Sequence, residues 1–320
     1  MIISKTPLRI SLFGGGTDFP EYFQKKKSTI IGTTIDKYIY ITFNRTLRFD
    51  KNNIKIFYKN NEFVDNVKKL KHKVVKEILI KEKITSDLDL HIVADLPSYS
   101  GLGTSSAFTV GLMNLLKSSR KIDISKNQLA RDSIKFERNT LGESVGFQDQ
   151  IHASYGGFNK IEIDNKNIKV TALNFDKKKL QQNLFLVFTG LTRKADDIEK
   201  KKIKRKKINM KHLDKINEIS EFAYKLIKKN KIDEIGDLLG ETWNLKKKLI
   251  GNLSNNIIDD LYEKGITAGA SGGKLLGAGA GGFILFYVKN KYISNFLSKM
   301  KNQNIVDFQF SKKGTQIIKI

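Results

Sequence analysis

Apolar and polar positions alternate in short runs through the opening third of the chain and settle into helical periods beyond it. Leu88, Leu90 and Ile92 share one side of an extended segment and Asp89 and His91 the other, the period of a half-buried strand. Comparable strand-like runs cover Ile2 to Phe13, Ile35 to Phe43 and Ile54 to Tyr58. After Thr104, Phe108, Leu112, Leu115 and Leu116 recur at the spacing of an amphipathic helix, and a second helix is expected after Ser125. The first half is therefore expected to mix strands and helices in the α+β manner. An apolar run from Leu184 to Phe188 opens the second half, where helices are expected to predominate from Ala195 through Leu249. A glycine-rich loop, a strand at Phe283 to Val288, a helix near Tyr292 to Lys301 and a terminal strand at Gln316 to Ile320 follow. No internal repeat or low-complexity linker interrupts the pattern.

At 320 residues with 40% hydrophobic content, the chain can fill one large or two ordinary domains. No apolar run approaches membrane-spanning length, and the N-terminus enters a strand pattern without a signal-peptide layout. A soluble, cytoplasmic protein with no membrane partner is expected. The absence of cysteine excludes disulfides, thiolate catalysis and cysteine-ligated metal. His72, His91, His152 and His212 are scattered without ligand spacing. A net charge of +25 is the footprint expected of a nucleic-acid binder. The lysines are spread along the whole chain, however, and the densest run, Lys200 to Lys207, carries no aromatics on which bases could stack. That run reads as a solvated helix face, and no nucleic-acid partner is expected. The surplus charge would still steer anionic nucleotides and sugar phosphates toward the protein.

The stretch from Pro97 to Ala107, Pro-Ser-Tyr-Ser-Gly-Leu-Gly-Thr-Ser-Ser-Ala, joins the strand ending near Ala94 to the helix after Thr104 through small residues. Gly101 and Gly103 let backbone approach an anion, and the first helical turn offers free N–H groups and the positive end of the dipole. No Lys-Ser or Lys-Thr follows, so this is not a Walker loop; Ser105 and Ser106 supply hydroxyls suited to phosphate oxygens or Mg²⁺. A tight turn capped by Thr104 or Ser105 is the alternative reading.

This stretch resembles the ATP-binding motif of the GHMP kinases, Pro-x-x-x-Gly-Leu-Gly-(Ser/Thr)-Ser-Ser, which implies ATP contacts from Pro97, Gly101, Leu102, Gly103, Thr104, Ser105, Ser106 and Ala107. Two further segments resemble the family's other motifs, in the same order: Pro7 to Asp18, similar to the galactokinase sugar signature, and Gly272 to Phe283, similar to the glycine-rich third motif. The resemblance implies a two-domain α+β architecture. An ATP-binding N-terminal domain like the second domain of ribosomal protein S5 would span residues 1–180, and a ferredoxin-like C-terminal domain 181–320, with the active site between them.

Phosphoryl transfer needs a positioned γ-phosphate, a cation over its oxygens and a group that orients or deprotonates the attacking hydroxyl. Ser125-Lys126-Asn127-Gln128 reads as a capping box opening a helix on which Ala130, Ser133, Ile134 and Glu137 share a face. An inward carboxylate calls for a partner, either Mg²⁺ or a lysine. The resemblance implies that Glu137 and Ser106 bind Mg²⁺. It implies likewise that Asp149, in Gly-Phe-Gln-Asp-Gln, is the catalytic carboxylate and that Arg9 balances its charge; on the residues alone, Asp149 could equally cap a helix. Gly15, Gly16, Thr17 and Asp18 fall in the sugar signature, where Gly15-Gly16 replaces the Glu-His of galactokinases. That departure makes room for a larger or phosphorylated sugar. Gly14 to Asp18, the third motif and Thr189 to Arg193 are most similar to the kinases of D-glycero-D-manno-heptose 7-phosphate, which act on the anomeric hydroxyl toward nucleotide-activated heptose for surface polysaccharide. Arg193 and Lys274 are the expected holders of the distal phosphate, unless they are merely solvated, and Gly277 and Gly279 are expected near the substrate. A fucokinase- or galactokinase-like activity on a neutral sugar is the rival within enzymes. A non-catalytic nucleotide- and sugar-binding regulator is the rival outside them.

Overall fold

The first strand, β1 (Ile2–Phe13), is buried on both faces from Thr6 onward, because the apolar residues of its second half meet a helix on one side and the second half of the chain on the other. The computed structural model describes residues 1–45, 53–192, 210–249, 253–277, 279 and 281–320. After β1 the chain turns through glycines and a short helix, α1 (Pro20–Phe23), into the long strand β2 (Ser28–Arg45), its antiparallel partner. Strands β3 (Ile54–Phe57) and β4 (Glu62–Val64) form a hairpin. Helix α2 (Lys73–Lys81) follows, then β5 (Leu88–Ala94), which runs parallel to β3 and antiparallel to β2. Helix α3 (Thr104–Ser119) lies on this sheet; Gly111 permits the contact, since a Cβ there would stand 2.5 Å from Thr6 Oγ1. Helix α4 (Lys126–Lys135) continues as a π-turn over Phe136–Thr140, and α5 (Gln148–Tyr155) leads to the hairpin of β6 (Phe158–Ile163) and β7 (Ile168–Ala172).

The second half runs through α6 (Lys177–Gln182), β8 (Leu184–Phe188), α7 (Met210–Lys228), α8 (Ile235–Leu249), α9 (Asn256–Thr267), β9 (Ala270–Leu275), β10 (Phe283–Val288), α10 (Ile293–Lys299) and β11 (Asn304–Val306). Its strands form an antiparallel sheet in the order β11-β8-β10-β9, and every residue of β10 is buried. One apolar core joins Leu8, Ile10 and Leu112 of the first half to Leu186, Leu239 and Leu285 of the second.

The final strands, β12 (Phe310–Ser311) and β13 (Gln316–Lys319), return to the first sheet and pair with β2 and β1. The expected cut near residue 180 falls within α6, but assigning everything after it to the second domain needs correction: by hydrogen bonding, residues 310–319 belong with the first sheet. The sequence reading also placed only a glycine-rich loop ahead of the strand at Phe283. The start of that stretch is strand β9, formed because bare glycines admit α8 at backbone distance: a Cβ on Gly272 would meet the Gly236 carbonyl at 2.0 Å. The capping box is half made. Ser125 Oγ accepts from the Gln128 amide N–H, while the Gln128 side chain turns to Asp132. Arg193, the basic run Lys200 to Lys207 and the helical start at Ala195 lie outside the described residues.

Candidate active site

The loop from β5 to α3 ends on Gly103, whose φ of +74° puts it in the left-handed region as the N-cap of α3, with no side chain capping the helix. Neither Thr104 nor Ser105 serves as cap, so the first-turn N–H groups are left for another acceptor. Ser105 is exposed, whereas Leu102, Ser106 and Ala107 are buried and Pro97 stands exposed at the loop entrance. Thr104 Oγ1 is buried without a partner. Gly101, with φ +82°, rests on the second glycine-rich segment: its Cβ would lie 2.4 Å from the Leu276 carbonyl, and one on Gly277 would lie 2.5 Å from Gly101 Cα.

Arg9 connects this loop to the next element. Its Nη1 donates to the Gly101 carbonyl at 2.6 Å, while Nε and Nη2 grip the two carboxylate oxygens of Asp149 at 2.8 Å each. Such a charge-assisted fork fixes both partners in orientation. Asp149 sits in the first turn of α5, does not cap it, and keeps 25% of its side chain exposed against 6% for Arg9. One turn on, His152 is wholly buried with both ring nitrogens unpartnered, and burial, aided by the Arg9 charge, pushes its pKa down to about 3. It is a neutral packing residue.

Glu137 lies on the π-turn after α4, a distortion that recurs at functional sites. It is fully buried; its Oε2 accepts from Ser106 Oγ at 2.9 Å and Gln150 Nε2 at 2.5 Å. Burial, only partly opposed by those bonds, raises its pKa to about 7. Oε1 has no partner. An orphaned carboxylate oxygen beside a serine hydroxyl at the start of α3 suits a hard cation that takes its remaining oxygens from phosphate and water. No cluster of three acidic, histidine or cysteine ligands exists among the described residues, so the pair fits Mg²⁺ carried with a nucleotide better than a resident metal.

The turn after β1 closes the site. Gly14 (φ +82°) packs so tightly that a Cβ would stand 2.2 Å from the Thr29 carbonyl. Asp18 is buried and accepts from the amides of Gly16 at 2.9 Å and Gln148 at 3.2 Å, tying the turn to α5; desolvation raises its pKa. The Thr17 hydroxyl is engaged within the protein: it is buried, donates to the Gly14 carbonyl at 2.8 Å and lies 2.6 Å from Ser28 Oγ. Lys274, expected to hold a phosphate, is 1% exposed, and its ammonium donates to the carbonyls of Ser11 at 2.9 Å and Leu12 at 2.8 Å. Burial first, then the charges of Lys246 and Arg9, lower its pKa well below the usual lysine value. It anchors β9 to β1.

Residues 67–157 match the family model of the GHMP kinases N terminal domain, and residues 223–305 that of the GHMP kinases C terminal region. The chain is 32% identical to the D-glycero-alpha-D-manno-heptose 7-phosphate kinase of Campylobacter jejuni across 98% of both sequences. The protein belongs to the GHMP kinases. Its fold superposes on a D-glycero-D-manno-heptose 1-phosphate kinase from Bacteroides thetaiotaomicron with a TM-score of 0.80 and 26% identity, covering 100% of this chain and 99% of that one. A putative sugar kinase from Campylobacter jejuni gives 0.79 and 28%, covering 100% and 98%.

This GHMP sugar kinase brings Arg9, Asp149, Ser106, Glu137 and the α3 N-terminus together, while four of its expected substrate contacts, Thr17, Lys274, Gly277 and Gly279, are engaged within the protein. Gly277 is packed on Gly101, and Gly279 lies under Leu253, whose Cδ1 a Cβ would meet at 2.3 Å. Lys246 of α8 is the residue that sequence reasoning missed. Its ammonium is 3.2 Å from the point a Gly15 Cβ would occupy. Within the run Lys246-Lys247-Lys248 nothing local distinguishes it from a solvated lysine. No helix among the described residues is long and apolar enough to cross a membrane.

Proposed function

We propose that this kinase transfers the γ-phosphoryl group of ATP to the anomeric hydroxyl of D-glycero-D-manno-heptose 7-phosphate, giving the 1,7-bisphosphate. The observation that carries the reading is Arg9, which grips Asp149 with one edge of its guanidinium and the Gly101 carbonyl with the other. Nucleotide loop and acceptor carboxylate are thereby held in one rigid frame, the positioning that phosphoryl transfer demands. The similarity to the heptose 7-phosphate kinase of Campylobacter jejuni supports the acceptor.

Residues Pro97 to Ala107 and the uncapped amides of α3 hold the triphosphate. Ser106 and Glu137 would hold Mg²⁺, which would supply positive charge to offset that of the phosphate groups. Asp149, the partly open carboxylate of the site, accepts the proton of the sugar hydroxyl or orients it, and Arg9 holds its oxygens in place and screens developing charge. Asp18 positions Gln148 and the glycine turn beneath the sugar. Burial raises the Glu137 pKa, and a bound cation would favour its ionised form.

The test is a panel of galactose, fucose, mannose and D-glycero-D-manno-heptose 7-phosphate with ATP and Mg²⁺, read as kcat/KM. Heptose 7-phosphate is expected to give the highest value, with the new phosphate on the anomeric carbon by ³¹P NMR. A neutral hexose that outperforms it overturns the assignment in favour of a neutral-sugar kinase.

A further inference from the structure

Most charged groups of the site already have partners. Arg9 is paired with Asp149, Asp18 accepts two amides, and Lys274 is held by two carbonyls. Lys246 forms no hydrogen bond or ion pair with another described residue. Its ammonium, Ser11 Oγ and Gln148 Nε2 lie 3.2, 3.3 and 3.5 Å from the point that a Gly15 Cβ would occupy. Ser11 and Gln148 are both more than nine-tenths buried, and Ser11 Oγ and Gln148 Oε1 have no partner. Three polar groups on three elements, β1, α5 and α8, thus converge on a space that is vacant only because residue 15 has no side chain.

We propose that Lys246, Ser11 and Gln148 form an anion seat over Gly15 that grips the phosphate already carried by the sugar and selects phosphorylated over neutral acceptors. The inference rests on the sugar-phosphate reading above and names the residues that carry it. A half-buried cation without a partner is unfavourable and is relieved by an anion, whereas a sugar hydroxyl leaves its charge unanswered. The surroundings agree: Arg9, Lys246 and Lys274 outnumber Asp18 and Asp149. Burial lowers the Lys246 pKa while the two carboxylates work against that effect. Ser11 and Gln148 add neutral donors that fix the anion's position, as the compact lysine head alone does not.

The experiment compares heptose 7-phosphate with the same heptose lacking its phosphate, in the parent and in Lys246→Met, Lys246→Arg and Gly15→Ala. Gly15 has no positive φ, and its would-be neighbours are side-chain ends, so alanine is compatible with folding. In Lys246→Met, KM for heptose 7-phosphate should rise at least about tenfold with kcat within about threefold, and the preference for the phosphorylated sugar should shrink by the same factor. Lys246→Arg should restore part of that preference, and Gly15→Ala should raise the same KM. A preference that survives Lys246→Met, or a kcat that falls in step for both acceptors, overturns the seat. If the parent itself shows no preference for the phosphorylated sugar, the heptose-phosphate reading fails. The seat is then judged by inorganic phosphate: its stabilisation of the parent against thermal unfolding must shrink in Lys246→Met, and equal stabilisation of the two, or none of the parent, overturns it as well.

Discussion

The wall built from α3, the π-turn and α5 differs from the wall that Gly15 shares with α8 in how far its polar groups are already satisfied. On the first, Ser106, Gln150 and Glu137 form one hydrogen-bonded set and Arg9 and Asp149 another, with Glu137 Oε1 and Gln150 Oε1 left over. On the second, a lysine, a serine and a glutamine converge without hydrogen-bonding to one another. A pre-paired network holds geometry whether or not a ligand is present, whereas an unpaired one gains its order from the ligand. Donor-side residues should therefore control turnover, and acceptor-side residues affinity and choice of sugar.

Asp149→Asn gives the largest effect. It keeps size but removes the charge, so kcat is expected to fall by about two to four orders of magnitude with little change in ATP affinity. Turnover within about threefold of the parent would contradict the assigned role. Gly15→Glu comes next and probes the other wall. A carboxylate at this position would lie against the Lys246 ammonium and neutralise it, besides repelling a sugar phosphate; kcat/KM for heptose 7-phosphate should drop by roughly one to two orders of magnitude, more than for any neutral hexose. Equal losses on both sugars would dissolve the distinction between the walls.

Glu137→Gln should raise the Mg²⁺ concentration needed for activity while the protein stays folded. It also has a pH signature. Because burial raises the folded-state pKa to about 7, above the ordinary glutamate value of 4.5, Glu137 favours the folded protein below about pH 4.5 and this contribution is lost as pH rises through 7. The metal-free parent should then lose stability across that window by up to about 3 kcal/mol relative to the variant. Urea titrations at pH 4.5 and 8 measure the difference, and an equal pH dependence in parent and variant would contradict the raised pKa, whereas an unmoved Mg²⁺ requirement would remove Glu137 from the metal site. The smallest effect is expected from Ser125→Ala, which removes the cap of α4 and costs about 1 kcal/mol of stability with kinetics unchanged. A change in KM there would mean that the donor wall is less rigid than its hydrogen bonds suggest.

Local features were readable in advance because their chemistry is local. Strand β1, strand β5, the start of α3 and the Ser125 cap each announce themselves within a few residues. The burial of Glu137 followed from helical spacing, although the π-turn on which it lies did not. What escaped depends on partners far along the chain. Gly272 and Gly277 resemble ligand-cradling glycines until α8 and Gly101 are seen packed on them. Lys274 and Lys246 are indistinguishable as letters; the carbonyls of Ser11 and Leu12 mark the first as an anchor, while the second has no hydrogen-bond partner among the described residues.

The pairing of β13 with β1 bears on how the chain reaches this state. Ile2 lies opposite Lys319, so the outer edge of the first strand has no mate until nearly all of the described chain has been synthesised. During that interval an apolar strand with open N–H and C=O groups is exposed to other nascent chains, a recognised route to edge-to-edge aggregation. Pairing across such a sequence separation is also slow, because the intervening loop must close before the contacts reward it. Biogenesis of the kinase should therefore be sensitive to chaperone supply, and alterations near Gln316–Lys319 should reduce soluble yield even though they lie far from Asp149.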